Sequence, residues 1–152
     1  MPKPLKRYTA LQPLSREHHQ GLLLCFKLRE GFKKDVAPQR MQTYCRWFYD
    51  TYLQQHFKVE EEHVFSVLGA ENELVKKAVA QHEQLHQLFT KDTAHLANLE
   101  LIETELQNHI RFEERELFEL IQQEATEAEL QKISERLDEQ PFRENTDDQF
   151  WL

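Results

Sequence analysis

Side chains that can bind a metal recur four residues apart within the apolar stripes of this chain, and this pattern constrains the fold most strongly. The pairs are His56 with Glu60, His82 with His86, and His109 with Glu113. Residues four apart lie one turn from each other on the same face of an α-helix. Each pair can therefore close on one metal ion from the buried face of a helix. His18 occupies the same kind of position earlier in the chain.

The spacing of the apolar residues predicts an all-α fold, an up-down-up-down four-helix bundle with a short C-terminal fifth helix. The sequence has only 3 Gly and 5 Pro in 152 residues, and its apolar residues repeat at three- and four-residue steps, as in amphipathic helices. The stripes predict long helices at about 15–30, 39–68, 72–96 and 98–123, and a short one at 127–138. Four long amphipathic helices with short connections pack as a bundle.

The chain divides into three predicted parts. Residues 1–14 are expected to form an N-terminal arm, because its prolines disfavour a regular helix. Residues 15–124 form the bundle, and residues 125–152 form the short helix and an acidic tail. The tail is expected either to be disordered or to dock through Phe150 and Trp151. The length suits one domain with a single core.

Local signals predict where the helices begin and end. Ser15 is the expected N-cap of the first helix, and Thr126 is the expected N-cap of the fifth. Gly31 is expected to break the first helix. The third turn contains no Gly or Pro, so Asn98 is the best available breaker. The arm residues expected to cover the open end of the first helix are Tyr8, Leu11 and Leu14.

The metal-binding pairs are predicted to meet at one level of the bundle. Two residues of an antiparallel hairpin lie at equal height when they are equidistant from the turn. Three pairs satisfy this relation across the predicted turns: His18 with His56, Glu60 with His82, and His86 with His109. Burying an unpaired polar side chain costs roughly 1–3 kcal/mol, and an unpaired carboxylate costs more. Bound metal ions compensate this cost, and imidazole with carboxylate suits iron, zinc or manganese better than calcium or magnesium.

The other histidines and the flanking carboxylates have simpler expected roles. The histidines expected at the surface or hydrogen-bonded in the core are His19, His63 and His95. Of these, His63 lies on the inward edge of the second helix and can adjoin the ligands. The carboxylates expected to be solvated are Glu61, Glu62 and Glu114. A spacing of five residues from His109 also lets Glu114 reach a metal.

Four segments, SREHH, HFKVEEEHVF, HEQLH and HIRFEERELF in that order, resemble the haemerythrin family in its bacterial form, the HHE cation-binding domain. The resemblance covers about residues 11–123 and implies a bundle that holds two non-haem iron ions, a di-iron centre. The implied ligands are His82, His86 and His109 on one ion, His18 and His56 on the other, and Glu60 and Glu113 as bridges. The ion with two histidines would keep an open position for dioxygen or another small ligand.

The chain departs from the oxygen-carrying members of that family at one position. Those members have an aspartate five residues after the histidine of the fourth helix, whereas Glu113 lies four residues after His109. This difference argues against reversible oxygen carriage. The resemblance implies a metal-binding protein that binds dioxygen or a related small ligand for storage, delivery or sensing, or that handles iron. A binding role is favoured over an enzymatic one.

Two other functions stay open. A ferritin-like di-iron carboxylate oxidase uses Glu-xx-His pairs, and this spacing occurs at Glu60 with His63 and at Glu83 with His86. However, these pairs lie on the second and third predicted helices, whereas the ferritin-like order places them on the second and fourth. The other alternative is a bundle that carries zinc and has no redox role.

Composition narrows the partners and the compartment. The formal net charge of -8 disfavours nucleic-acid binding, which needs a basic surface. No apolar run approaches the ~18 residues of a membrane span, and the N-terminus lacks the apolar core of a secretory signal, so the cytoplasm is the expected location. Cys25 and Cys45 are expected to be reduced and buried, with a disulfide as the alternative. No feature indicates a protein partner.

Overall fold

Helices account for all regular structure in the part of the chain that the computed structural model describes, residues 7–93, 95–137 and 140–152. Within these ranges there is no strand. Four long helices and a short fifth helix confirm the predicted fold class. None of the described helices contains a segment long and apolar enough to cross a bilayer.

Three of the helices are of a single type. α1 is Gln12–Lys33, and a short 3-10 turn at Thr9–Leu11 leads into it. α3 is Glu73–Phe89, and α5 is Glu127–Arg136. Thr126 caps α5 as predicted, because its hydroxyl accepts from the backbone N–H of Glu129 while the Glu129 carboxylate accepts from the backbone N–H of Thr126.

The other two helices change type along their length. α2 covers residues 38–67 and consists of Pro38–Phe48 (α), Tyr49–Leu53 (π), Gln54–Val59 (α), Glu60–Val64 (π) and Phe65–Val67 (3-10). α4 covers residues 96–124 and consists of Leu96–Phe112 (α), Glu113–Leu117 (π) and Phe118–Glu124 (α). α4 packs along both α1 and α3, and α2 contacts α1, α3 and α4.

The apolar core consists of two clusters, one toward each end of the bundle. The cluster nearer the α1–α2 turn contains Leu24 and Leu85 among others. The cluster nearer the start of α1 contains Leu14 and Ala78 among others. His18 of α1 therefore lies between Leu14 and Leu24 in the chain, and α3 likewise passes from one cluster to the other. The level between the clusters is where the predicted metal ligands fall.

The start of α1 differs from the prediction. The helix begins at Gln12 rather than after Ser15, because Pro13 lies in its first turn, where a missing N–H breaks no helical bond. Leu11 and Leu14 are buried, whereas Tyr8 is exposed. The Ser15 hydroxyl does not cap the helix and instead donates to the carboxylate of Glu114, with distances of 2.9 and 3.0 Å to its oxygens.

Gly31 does not end α1, although the sequence suggested that it would. A Cβ at this position would lie 2.6 Å from Sδ of Met41 and 3.0 Å from Cε1 of Phe150. Glycine is therefore needed here for close packing and not for termination. The chain turns at Asp35, whose φ of 53° lies in the left-handed region that aspartate tolerates.

The third turn also differs from the prediction. α3 ends at Phe89 and α4 begins at Leu96, so Asn98 lies inside the first turn of α4 rather than in the connection. The Asn98 side chain is buried, and its amide donates to the carbonyl of Leu88 at 3.0 Å. Asn98 thus ties the two helices together instead of breaking one.

The structure distinguishes between a disordered and a docked tail, and between reduced and disulfide-bonded cysteines. The tail is docked on the bundle, because Phe150 is only 2% exposed and joins the core. Cys25 and Cys45 are buried free thiols. Burial raises the pKa of the Cys25 thiol to about 12, so this thiol stays protonated and unreactive at neutral pH.

Gly31→Ala should destabilise the protein by roughly 1–3 kcal/mol, the usual cost of overpacking a core. Denaturation in urea measures this difference. Because the nearest atom is the Met41 sulfur, the cost should shrink in a Met41→Ala background. An equal cost in both backgrounds would contradict the packing role of Gly31.

Candidate metal centre

Six of the seven predicted ligands lie together in the centre of the bundle. All six side chains are at most 4% exposed, and they come from all four long helices: His18, His56, Glu60, His82, His109 and Glu113. Their helical spacing places them inward, because the apolar stripe of each helix continues on both sides of them. The prediction that these residues share one level therefore agrees with their positions.

The six side chains form two overlapping groups, each of which can hold a metal ion. One group is His18, His56, Glu60 and Glu113, and the other is Glu60, His82, His109 and Glu113. Within each group the potential ligand atoms lie within 4.8 Å of one another. Both carboxylates therefore belong to both groups, so the arrangement offers two adjacent positions that share Glu60 and Glu113.

The histidine Nε2 atoms are directed at the shared carboxylates. The Nε2 atom of His82 lies 3.3 Å from an oxygen of Glu60 and 3.3 Å from an oxygen of Glu113. On the other side, Nε2 of His18 lies 2.9 Å from Glu113, and Nε2 of His56 lies 3.2 Å from Glu60. The imidazoles thus surround the carboxylates from two opposite sides.

Each of the two carboxylates begins a π-helical segment, Glu60–Val64 in α2 and Glu113–Leu117 in α4. A π turn inserts one extra residue into the helical frame and is frequent at functional sites. The residues after the carboxylate are therefore rotated relative to an ideal helix. The spacing of the apolar residues did not predict these segments.

The four histidines are oriented by partners at their outer nitrogens. The pairs, with the distance from Nδ1 to the partner oxygen, are His18 with Glu114 (2.7 Å), His56 with Glu17 (2.9 Å), His82 with Glu61 (2.7 Å) and His109 with Gln81 (2.6 Å). Ionised carboxylates only accept hydrogen bonds, so the Nδ1 atoms that face them must carry a proton and donate. The lone pair of a neutral imidazole is then on Nε2, which faces the centre, as metal-binding histidines require.

Three of these outer partners have roles that differ from the sequence prediction or were absent from it. Glu61 and Glu114 were expected to be solvated, but both accept hydrogen bonds from buried histidines. Glu114 belongs to neither ligand group, and its carboxylate lies instead against Nδ1 of His18. Glu17 was not predicted, since its contact with His56 crosses between two helices. Each outer partner follows or precedes a central residue in the chain, which is the signal that sequence reasoning could have used.

His86, the seventh predicted ligand, belongs to neither group. Its ring is half-buried, and its Nδ1 atom lies 2.6 Å from the hydroxyl of Tyr49. Burial raises the pKa of Tyr49 to about 12, so the phenol keeps its proton. His63 also lies outside both groups, with its Nε2 atom 3.7 Å from Glu62.

The centre carries polar atoms whose bonding is incomplete. Among the described residues, the buried site atoms without a hydrogen-bond partner are both carboxylate oxygens of Glu60, Oε2 of Glu113, and Nε2 of His82 and His109. Leaving such atoms unpaired costs roughly 1–3 kcal/mol each, and more for charged groups. Cations placed among them would satisfy all five, so the residues fit bound metal ions.

Without a cation, protons compensate part of the negative charge. Burial alone would lower the pKa of His56, but the charge of Glu60, 3.2 Å from Nε2, and the hydrogen bond to Glu17 raise it to about 10. Burial is likewise outweighed at His82, where the nearby carboxylates of Glu113, Glu60 and Glu61 raise the pKa to about 11. Despite burial, the neighbouring histidines hold the pKa of Glu113 well below its usual range. Metal binding must therefore displace protons from these imidazoles.

The fold and the site together define a class of protein, a helical bundle whose core contains histidine–carboxylate groups that can hold a metal. Residues 9–121 match the family model of the hemerythrin HHE cation binding domain. Because this match covers well over half of the chain, the chain belongs to the haemerythrin HHE cation-binding family. No curated protein and no solved structure gives a significant match.

The free energy of unfolding of the metal-free protein should fall as the pH rises from about 6.5 to about 10. His56 and His82 have folded pKa values of about 10 and about 11, above the unfolded value of about 6.5. Their stabilisation is complete below the unfolded value and is lost as the pH passes the folded values. Urea denaturation at several pH values measures this slope.

The metal-loaded protein provides the control for this measurement. Its imidazoles are occupied by cations rather than protons, so the same pH range should leave its stability nearly constant. A metal-free protein that became more stable between these pH values would contradict the proposed charge balance.

Proposed function

We propose that this chain is a di-iron protein that binds dioxygen or a related small ligand at the ion held by His18 and His56. One observation carries the proposal: Glu60 and Glu113 belong to both ligand groups. Two carboxylates shared by two pairs of imidazoles are suited to bridge two cations. Membership of a cation-binding family supports cation binding at this place.

Four donor residues can hold either zinc or iron, and the proposed uptake of a small ligand is what favours iron. Each group supplies two imidazole nitrogens and two carboxylates, which makes four donor residues. Four donors complete the tetrahedral shell that zinc prefers. Iron accepts more ligands than four, so the same residues leave positions for an added small molecule. When bound, iron would supply this coordination position and the electrons that a ligand such as dioxygen needs. Manganese also accepts more than four ligands, so the same donor residues would leave it a free position as well.

His86 is proposed as a third histidine on the ion held by His82 and His109. Its Nδ1 atom faces Tyr49, just as the other four histidines face outer partners through Nδ1. A phenol can accept a hydrogen bond as well as donate one. When Nδ1 carries the proton, Nε2 is free to bind an ion, for which the ring must turn toward His82.

The proposed role is binding rather than catalysis, for storage, delivery or sensing of the ligand or for handling iron, in the cytoplasm. The acidic net charge of -8 supports a small-molecule partner over nucleic acid or an anionic membrane surface. The ferritin-like alternative gains no support from the geometry, because His63 and Glu83 belong to neither ligand group.

His56→Ala and His82→Ala should each lose at least one of the two iron ions, because each substitution removes a ligand from a different group. Iron quantification on purified protein measures the loss. His63→Ala is the matched control, since this nearby histidine lies outside both groups and should leave the iron content unchanged. Full iron content in either of the first two variants would contradict the ligand assignment.

Protein produced in iron-replete cells should contain iron and show the absorption band of a bridged di-iron centre. Exposure of the reduced protein to oxygen should change this spectrum, because the ion held by His18 and His56 would take up the ligand. Metal analysis together with an optical spectrum before and after oxygen tests the proposal. Zinc in place of iron, or iron without any response to small ligands, would overturn it.

A further inference from the structure

A small cavity adjoins the half of the centre that contains His18 and His56. Its free volume is about 30 Å³, and Gly21, Leu53 and Ile110 are among the apolar residues that line it. A volume of roughly 10–15 Å³ is needed for one water molecule on this measure. The cavity therefore has room for a ligand of two or three non-hydrogen atoms.

One wall of this cavity comes from the C-terminal tail, through Gln140 and Phe142. The Phe142 ring packs on Tyr52, with 5.1 Å between ring centroids, and on Phe48, at 6.3 Å. Both of these residues also line the cavity. The family match ends at residue 121, so the wall is supplied by a segment beyond the matched domain.

The two residues after Phe142 fix the tail in place. The backbone N–H of Arg143 donates to the hydroxyl of Tyr52 at 2.9 Å. Glu144 accepts from the buried ammonium group of Lys27 at 2.5 Å and from the hydroxyl of Tyr44. The Tyr52 hydroxyl and the ion pair of Lys27 with Glu144 therefore hold the backbone next to Phe142, which restricts the movement of its ring.

Lys27 gives this attachment its strength. The side chain is almost fully buried in α1, where an unpaired ammonium would be strongly unfavourable. Glu144 supplies its charged partner, and the ring of Trp151 lies 4.4 Å from its Nζ atom. Lys27 also donates to the hydroxyl of Tyr44 in α2 at 2.9 Å, but Glu144 belongs to the tail, so undocking the tail would take this carboxylate away from the ammonium group.

We propose that Phe142 is a specificity-determining residue of the ligand site, which limits access to the ion at His18 and His56 to ligands of two or three non-hydrogen atoms. This inference rests on the proposed function, since it concerns the ligand of that same ion. Phe142 acts through its size, by closing the apolar cavity from the side of the tail. The attachment through Tyr52 and Glu144 keeps the ring in that position.

The test compares two carboxylates that share a head group and differ in length, formate and butyrate. Each is added to the azide complex of the oxidised iron-loaded protein, and the displacement of azide is followed by visible absorption to give the affinity. The wild-type protein should bind formate and discriminate against butyrate. Phe142→Ala should bind butyrate roughly tenfold more tightly or better, the effect expected when space for methylene groups is opened, while its affinity for formate changes little.

Two further variants separate exclusion of the ligand by Phe142 from a general loss of packing in the apolar cluster. Phe32→Ala removes a phenyl ring from the same apolar cluster but not from the cavity, and it should keep the discrimination. Tyr52→Phe removes the hydroxyl that binds Arg143 but keeps the ring, so it should admit butyrate in the same direction with a smaller effect. If Phe142→Ala does not fold, butyrate binding by Tyr52→Phe tests the proposal on its own.

The metal-free protein gives a readout that does not depend on iron. Xenon enters apolar cavities of this kind, and its binding can be followed through the methyl resonances of Leu53 and Ile110. Xenon should saturate these shifts at lower pressure in Phe142→Ala than in the wild-type protein, because the cavity is larger. Equal saturation pressures would contradict the role of Phe142 as a wall.

The outcomes distinguish this inference from the proposed function. Unchanged discrimination in Phe142→Ala and Tyr52→Phe, with full iron content and normal azide binding, would overturn the inference and leave the function intact. Equal loss of discrimination in Phe32→Ala would also overturn it. A wild-type protein that held no iron or bound no azide would overturn both proposals.

Discussion

Two fully buried carboxylates, Glu60 and Glu113, determine the organisation of the rest of the structure. Their charges lie where four helices meet, remote from water, and must be balanced by protons or cations. The four central imidazoles point their Nε2 atoms at these carboxylates, and outer partners fix each imidazole through Nδ1. The same requirement separates the apolar core into two clusters, since the polar layer has to lie between them.

The sequence predicts the bundle and the common level of the ligands for a geometric reason. In an antiparallel hairpin, distance along the chain converts directly into height, so residue numbers alone place His18 and His56 together. The ends of α1 and α3 were predicted less well. Gly31 and Asn98 carry residue types that usually terminate helices, but tertiary contacts with Phe150 and Leu88 use them for packing and hydrogen bonding instead.

Other parts of the site depend on interactions that no local pattern records. The contact between Glu17 and His56 crosses from one helix to another and requires the rotation of both helices about their axes. The π segments that begin at Glu60 and Glu113 leave no distinct sequence mark. His86 has the spacing of a ligand, yet its ring lies outside both ligand groups, with Nδ1 against the phenol of Tyr49. Spacing therefore identifies the candidates, and the neighbouring helices decide which of them converge.

The division of the core into two clusters has a consequence for the lifetime of the protein. An ion bound between the clusters would recognise only the assembled chain, because the six residues of the two groups are far apart in the unfolded polypeptide. By mass action, each bound ion adds to folding stability in proportion to the logarithm of its free concentration. The abundance of intact protein would then follow the supply of metal, and metal-starved chains would be degraded first.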